Sequence, residues 1–337
     1  MLSNQNRQVR LKSRPGGIPQ AEHFEIGTAA VPELAEGQLL VRNQFLSVEP
    51  AMRGWVNAVA NYSRPVGIGE VMRSFAAGTV IASKNAQFAE GDRVMGMFGW
   101  QDYAAVGASA ITRKVTEGDL PLSLSLGVLG LNGVTAYFAL LDVGHPRPGE
   151  TVVVSTAAGS VGSAVGQIAK IGGCRTVGIA GGPVKTKLCT DAFGYDAAID
   201  YKEPGLADAL RTACPQGVNV YFDNTAGSIS DTVLTQLASG ARIVICGTAS
   251  IANWDPPPAG PRVERHLLVK RAQMAGFLVF DYAHRYEEAV TQLAAWIREG
   301  RLAYREDILD GIEACPDAIA SLYRGENLGK RLVRLHA

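Results

Sequence analysis

The sequence predicts an α/β chain in two parts: a mostly β region over residues 1–125, then a doubly wound parallel sheet of six strands within residues 126–299. Three observations predict it. Thr151–Lys170, TVVVSTAAGSVGSAVGQIAK, reads as a buried strand, a tight turn of small residues and a helix. Strand-like and helix-like runs alternate after that point, as crossover helices on a parallel sheet require. Before residue 125 the apolar runs are short and broken by Gly and Pro, the pattern of a compact β region.

In the first region the runs are Gln38–Arg42, Ala77–Ala82 and Arg93–Met97, parted by turns such as Ala89-Glu90-Gly91-Asp92. In the second, the predicted strands are Thr151–Ser155, Thr176–Ala180, Ala197–Tyr201, Val218–Phe222, Ala241–Cys246 and Met274–Phe280. The predicted helices are Val161–Ile171, Val184–Phe193, Leu206–Ala213, Ile229–Leu237, Val263–Arg271 and Tyr282–Glu299. Six strands in this order suit a doubly wound dinucleotide fold. Trp254–Pro261, WDPPPAGP, holds too many prolines for a helix or central strand and reads as a loop after the fifth strand. After Gly300 the alternation is expected to stop, and NLGKRLVRL near the end reads as a loop and a final strand.

Bulk properties narrow the function. The 337 residues are 47% hydrophobic and 19% charged, with 32 basic and 32 acidic side chains. A net charge of zero argues against a dedicated nucleic-acid or membrane-surface binder. No run approaches the roughly 18 apolar residues of a membrane span, and the polar start has no apolar signal core. A cytoplasmic protein is expected. The five cysteines (Cys174, Cys189, Cys214, Cys246, Cys315) are odd in number and lack C-x-x-C spacing, and the five histidines are scattered. Neither a disulfide framework nor a metal cluster is expected.

The turn after the first strand of the second region carries the chemistry. Backbone N–H groups at the positive end of a helix dipole suit a dinucleotide pyrophosphate. Ala157 stands where the first Gly of G-x-G-x-x-G belongs, and Gly159 and Gly162 fill the other two places. A glycine turn alone is weak evidence, but the strand before and helix after favour a cofactor. An NAD site places Asp or Glu at the end of the second strand. Here Ile179-Ala180-Gly181-Gly182-Pro183-Val184-Lys185 has none, so no repulsion of a 2′-phosphate is expected. Lys185 could pair with that phosphate and Tyr201 could hydrogen-bond it. Taken alone, Lys185 reads as a solvated helix residue; with the missing acid it favours NADP.

Together these residues resemble the zinc-independent branch of the medium-chain dehydrogenase/reductase superfamily, in particular its NADPH-dependent alkenal, prostaglandin and curcumin double-bond reductases. The resemblance runs through Leu46-Ser47-Val48-Glu49-Pro50, Met52-Arg53-Gly54, Gly99-Trp100-Gln101-Asp102-Tyr103, Gly133-Val134-Thr135-Ala136-Tyr137-Phe138, the AAGSVG turn, Phe222-Asp223-Asn224, Gly276–Tyr282 and Glu326-Asn327-Leu328-Gly329-Lys330. It implies a GroES-like N-terminal β domain, a Rossmann domain binding NADPH, and a C-terminal tail from residue 300 returning to the first domain. It implies that Ala158, Gly159, Val161 and Gly162 line the pyrophosphate. Lys185 and Tyr201 would hold the 2′-phosphate, with Gly181 a further cofactor-binding residue. Asn224, Cys246 and Gly247 would follow the adenosine and ribose, and Thr135, Phe277, Val279 and Asn327 the nicotinamide. No metal is implied, since the first 125 residues hold no Cys and only His23. A homodimer is the implied assembly.

The implied reaction is hydride transfer to the β carbon of a small unsaturated ketone or aldehyde. Two tyrosines of the family pattern are absent, replaced by Ala51 and Ala252. Alanine donates no hydrogen bond to the developing enolate, and the lost bulk predicts a wider pocket. Tyr62 is the first candidate for substrate contact, with a loop-packing role as its alternative. Arg53, Ser250, Asn253, Asn43 and Trp100 are further candidates. A quinone reductase on the same scaffold, or a weakly catalytic NADPH-binding protein, remain alternatives.

Overall fold

A computed structural model describes residues 5–58, 63–251, 256 and 258–335. The chain forms two compact units, one of residues 1–127 with 306–337, the other of residues 128–305. Tyr62, Ala252, Asn253 and, of the proline-rich loop, Trp254, Asp255 and Pro257 lie outside the described residues.

The first unit opens with β1 (Gln5–Leu11) and β2 (Phe24–Ala30), an antiparallel pair. Next come β3 (Gln38–Ser47), the single turn α1 (Met52–Trp55), β4 (Phe75–Ser83), β5 (Arg93–Met97), β6 (Tyr103–Gly107) and β7 (Ile111–Lys114). The predicted short runs fall inside β3, β4 and β5. β3, the longest of these strands, pairs with β4 on one side and continues through β4–β5–β7, while β6 pairs β3. Gly78 in β4 permits that pairing: a Cβ there would lie 2.1 Å from the Arg42 carbonyl oxygen.

The second unit starts with a helix missing from the sequence expectations, α2 (Leu131–Phe138), which runs on as a π-helical segment, Ala139–Gly144. Then strand and helix alternate: β8 (Thr151–Ser155), α3 (Ser160–Ile171), β9 (Arg175–Ala180), α4 (Pro183–Asp191), β10 (Ala197–Asp200), α5 (Leu206–Ala213), β11 (Val218–Asp223), α6 (Gly227–Leu234), β12 (Leu237–Ile245), α7 (Glu264–Lys270), β13 (Gln273–Gly276) and α8 (Tyr286–Arg298). The sheet order is β10-β9-β8-β11-β12-β13, all parallel, which is the doubly wound dinucleotide arrangement with its switch point between β8 and β11. Every residue of β8 is buried, as a central parallel strand covered on both faces must be.

Boundaries differ from expectation most at two places. Leu237, predicted to end a helix, begins β12 and pairs with Val218 across a bulge. The sixth strand stops at Gly276 rather than Phe280, and a 3₁₀ segment, Val279–Arg285, delays the last helix to Tyr286. There the Tyr282 ring turns back, 5.1 Å from Phe277 and stacked 4.9 Å from Phe138 of α2.

The alternation does not stop after Gly300. β14 (Glu306–Asp310), α9 (Cys315–Tyr323) and β15 (Lys330–Arg334) form a further parallel crossover. Pro316 in the first turn of α9 was the overlooked helix-start signal. β15 pairs antiparallel with β3, so the tail completes the first unit's seven-stranded sheet.

Candidate functional site

At the carboxyl end of β8 the chain turns through Thr156, a β-branched residue held at φ 54°. The turn is tied to β9 by the Ala157 N–H, which donates to the Ile179 carbonyl at 3.0 Å. Gly159 is the N-cap of α3 and brings no capping side chain, so the first-turn N–H groups face outward for an anion. The glycines are required by contact. A Cβ on Gly162 would lie 2.3 Å from the Thr156 carbonyl oxygen, and one on Gly159 2.9 Å from the Thr156 methyl. Ala157 and Ala158 are buried beneath the turn. The cradle closes on backbone atoms, which fits a pyrophosphate.

The neighbouring corner forms between β9 and β10. Gly182, at φ 87°, caps α4, and Pro183 opens it with Lys185 in its first turn. Tyr201 follows β10, and its N–H donates to the Ala180 carbonyl at 3.1 Å. Its ring covers Gly181 so closely that a Cβ there would be 3.0 Å from the phenol oxygen. Gly181, Lys185 and Tyr201 therefore share one corner. The expectation that no carboxylate stands there needs correcting. Asp200, distant in sequence, accepts the Gly182 N–H at 2.8 Å and the Lys202 N–H at 2.9 Å. Those two N–H bonds, Gly182 first, hold its carboxyl below the usual range. A search near the end of β9 misses Asp200 because the acid sits on the adjacent strand.

At the switch point Asn224 links β8 to β11. Its backbone N–H donates to Ser155 Oγ at 2.8 Å and its Nδ2 to the Ser155 carbonyl at 2.7 Å. Beside it lies Asp223, a second residue absent from the sequence-predicted site. This buried carboxylate accepts the N–H groups of Thr225 and Ala226, both at 2.9 Å, the Tyr221 hydroxyl at 3.1 Å and the Ser230 hydroxyl at 2.5 Å. The Asp223 carbonyl receives the N–H groups of Cys246 and Gly247 at 2.8 and 3.1 Å. One residue thus fixes the loops after β11 and β12. Burial, reinforced by the Asp223 charge, pushes the Cys246 thiol up to about 12, so it is a packing thiol rather than a nucleophile. Ser250 Oγ donates to the Thr225 carbonyl at 2.8 Å, which commits its proton to holding this turn.

Thr135 lies buried in α2, while Phe277 and Val279 follow β13. The Phe277–Tyr282–Phe138 stack joins the β13 loop to α2, with the Arg285 guanidinium 4.4 Å from the Phe138 ring centroid. In the first unit Arg53 lies 4.6 Å over the Tyr323 ring. Asn43 is buried and donates to the Gln101 carbonyl at 2.9 Å. Asn327 Nδ2 donates to the Gly329 carbonyl at 2.8 Å. Trp100 is fully buried with its indole N–H on the Ser47 carbonyl at 3.1 Å, which makes it a core residue.

Residues 7–114 match the family described as the N-terminal domain of oxidoreductase, and residues 160–296 the family described as zinc-binding dehydrogenase. The chain is 40% identical to the NADPH-dependent curcumin reductase of Escherichia coli over 98% of its length and 97% of that protein's. It is 37% identical to the NADP-dependent 2-alkenal reductase of Nicotiana tabacum over 97% of each. The chain belongs to the medium-chain dehydrogenase/reductase superfamily. The crystal structure of CurA from Vibrio vulnificus in complex with NADPH matches this reductase with a TM-score of 0.92 at 41% identity, covering 98% of this chain and 99% of that one. The zinc in one family's description finds no fit in the reductase: among the described residues no group of three or more His, Cys, Asp or Glu could hold a metal ion. No described helix is long and apolar enough to cross a membrane.

Proposed function

We propose that the protein reduces the carbon–carbon double bond of α,β-unsaturated ketones or aldehydes with NADPH. The observation that carries this is the pair of corners at the carboxyl ends of β8 and β9. One offers uncapped helix N–H groups for a pyrophosphate; the other gathers Gly181, Lys185 and Tyr201 for a 2′-phosphate. Likeness to the curcumin and 2-alkenal reductases supports the substrate class.

Bound NADPH supplies the hydride. The chain's own part is to orient the reactants and to meet the charge that develops on the carbonyl oxygen. We assign the pyrophosphate to Ala158, Gly159, Val161 and Gly162, the 2′-phosphate to Lys185 and Tyr201, and the adenosine side to Asn224, Cys246 and Gly247. Thr135, Phe277, Val279 and Asn327 are assigned to the nicotinamide. Tyr62, Arg53 and Asn253 are the proposed groups toward substrate. With alanine at position 51, the pocket accepts bulky aryl enones. NADPH oxidation followed by absorbance across a panel tests this. Enone-dependent oxidation, faster for aryl enones than for short 2-alkenals, is expected. Oxidation by quinones alone, or tight NADPH binding with no turnover, overturns the reading.

The proposal includes a homodimer through the β13 edge. That strand and α7 hold no buried residue, and Leu268 and Val269 are 78% and 57% exposed. Such an edge invites a second sheet. A monomeric mass in light scattering would refute it. A cytoplasmic location is also proposed, in keeping with five unpaired cysteines.

A further inference from the structure

We infer that Asp200 is a positioning residue of the 2′-phosphate corner, acting through backbone N–H groups and not on the cofactor. The inference rests on the assignment of Lys185 and Tyr201 above. One carboxylate oxygen, Oδ1, accepts from Gly182 on the β9 side and from Lys202 on the β10 side. Those bonds bracket the corner. Gly182 is the N-cap from which α4 departs, and its carbonyl accepts the Lys185 N–H at 3.2 Å. Gly182 stands at φ 87°, a conformation only its missing side chain makes inexpensive. Tyr201, the phenol over Gly181, is the next residue after Asp200 and lies between it and Lys202. Fixing Asp200 therefore fixes both the start of α4 and the base of the Tyr201 side chain.

The placement has a further consequence for cofactor choice. A free carboxylate at this corner would repel a 2′-phosphate and attract a ribose hydroxyl. Asp200 instead directs Oδ1 onto two backbone donors, which stabilise its charge where it stands. An asparagine Oδ1 can accept the same two N–H groups without the charge, so the two contributions separate by substitution.

The experiment measures NADPH and NADH dissociation constants by fluorescence on the full-length protein, with folding checked by circular dichroism. Asp200→Ala removes both acceptors and should weaken NADPH about tenfold, with NADH changing less than about twofold. Asp200→Asn should bind NADPH as the parent does. Gly182→Ala, which strains the same turn from the other side, should repeat the Asp200→Ala pattern and serves if that variant does not fold. Lys185→Ala is the control for the underlying assignment. If it weakens both cofactors equally, the 2′-phosphate site itself is misassigned. If Lys185→Ala is selective but folded Asp200→Ala, or Gly182→Ala where Asp200→Ala does not fold, leaves NADPH affinity unchanged, the positioning role alone falls. It also falls if Asp200→Asn tightens NADPH by more than about tenfold, because the charge would then dominate.

Discussion

The hydroxyl of Tyr195 donates to the carbonyl oxygen of Gly162 at 2.6 Å, inside the helix that follows the glycine turn. The buried ring also occupies the space two glycines leave free. A Cβ on Gly166 would lie 2.1 Å from Tyr195 Cζ, and one on Gly178 3.3 Å from its Cδ1. Tyr195 therefore sits between α3 and β9 and holds the cofactor turn's helix to its sheet. Gly166→Ala drives a methyl into a ring that cannot swing out. It should cost about 3 kcal/mol by overpacking. Tyr195→Phe keeps the ring and loses one hydrogen bond, about 1 kcal/mol. Urea unfolding measures both, and the reverse ranking would refute this account.

Lys330 supplies a second test. Its Nζ is buried and donates to Glu49 Oε1 at 2.6 Å, Ser47 Oγ at 2.7 Å and the Val48 carbonyl at 3.1 Å, which joins β15 to the end of β3. Removing one partner of a buried pair leaves an uncompensated charge and costs about 3–5 kcal/mol. Lys330→Met should lose that much. Adding Glu49→Gln should recover part of it, since the stranded charge is gone. A double variant no more stable than Lys330→Met in the same unfolding assay would contradict the ion-pair explanation.

The contrast between the glycine turn, Gly159 and Gly162, and Asp200 explains how far the sequence could be read. The strands and helices of the second unit follow from period and turn chemistry, which are local. β8 was legible because four consecutive β-branched residues, Thr151 to Val154, ahead of a small-residue turn read as a buried strand. The glycine turn was legible because its spacing is local too. Asp200 and Tyr195 act across elements, on Gly182 and on Gly162, and nothing near them in sequence names those partners. The final strand, β15, and its return to the first unit were expected, but β14 and α9 were not: β14 is five residues long and pairs only with β15, beyond an intervening helix. Trp100 was offered as a site residue because an aromatic beside Gly99 reads the same in a loop or a core; only its burial decides.

Glu306 provides a pH test. Its Oε2 accepts the Ser123 hydroxyl at 2.9 Å, while Oε1 is buried with no hydrogen-bond partner. Burial raises its pKa, against the opposing effects of Ser123 and Lys330. A carboxyl whose folded pKa is raised binds its proton more tightly in the folded state. Its contribution is then full below the unfolded pKa and is lost as pH rises through the folded one. Parent stability should therefore fall relative to Glu306→Gln on going from acid toward neutral pH. Thermal unfolding of both proteins across that range checks it; a parallel pair of curves would remove Glu306 from the account.

The glycine turn yields a pair of opposite outcomes from two of its positions, 156 and 162. Gly162→Ala places a methyl 2.3 Å from the Thr156 carbonyl and 2.9 Å from Ala157 Cα, both backbone atoms that cannot step aside. The turn must open, so NADPH affinity should fall by more than about tenfold, the loss expected when even one charge-assisted hydrogen bond is misplaced. Thr156 itself is the strained member, a β-branched residue at φ 54°. Left-handed backbone costs such a residue about 1–2 kcal/mol. Thr156→Gly relieves that strain but adds freedom to the unfolded chain, which offsets about half of it. It should therefore stabilise the protein slightly and leave NADPH affinity intact, because the N–H groups of the turn do not move. Should Thr156→Gly weaken NADPH as severely as Gly162→Ala, then the Thr156 side chain, and not the backbone cradle, holds the cofactor.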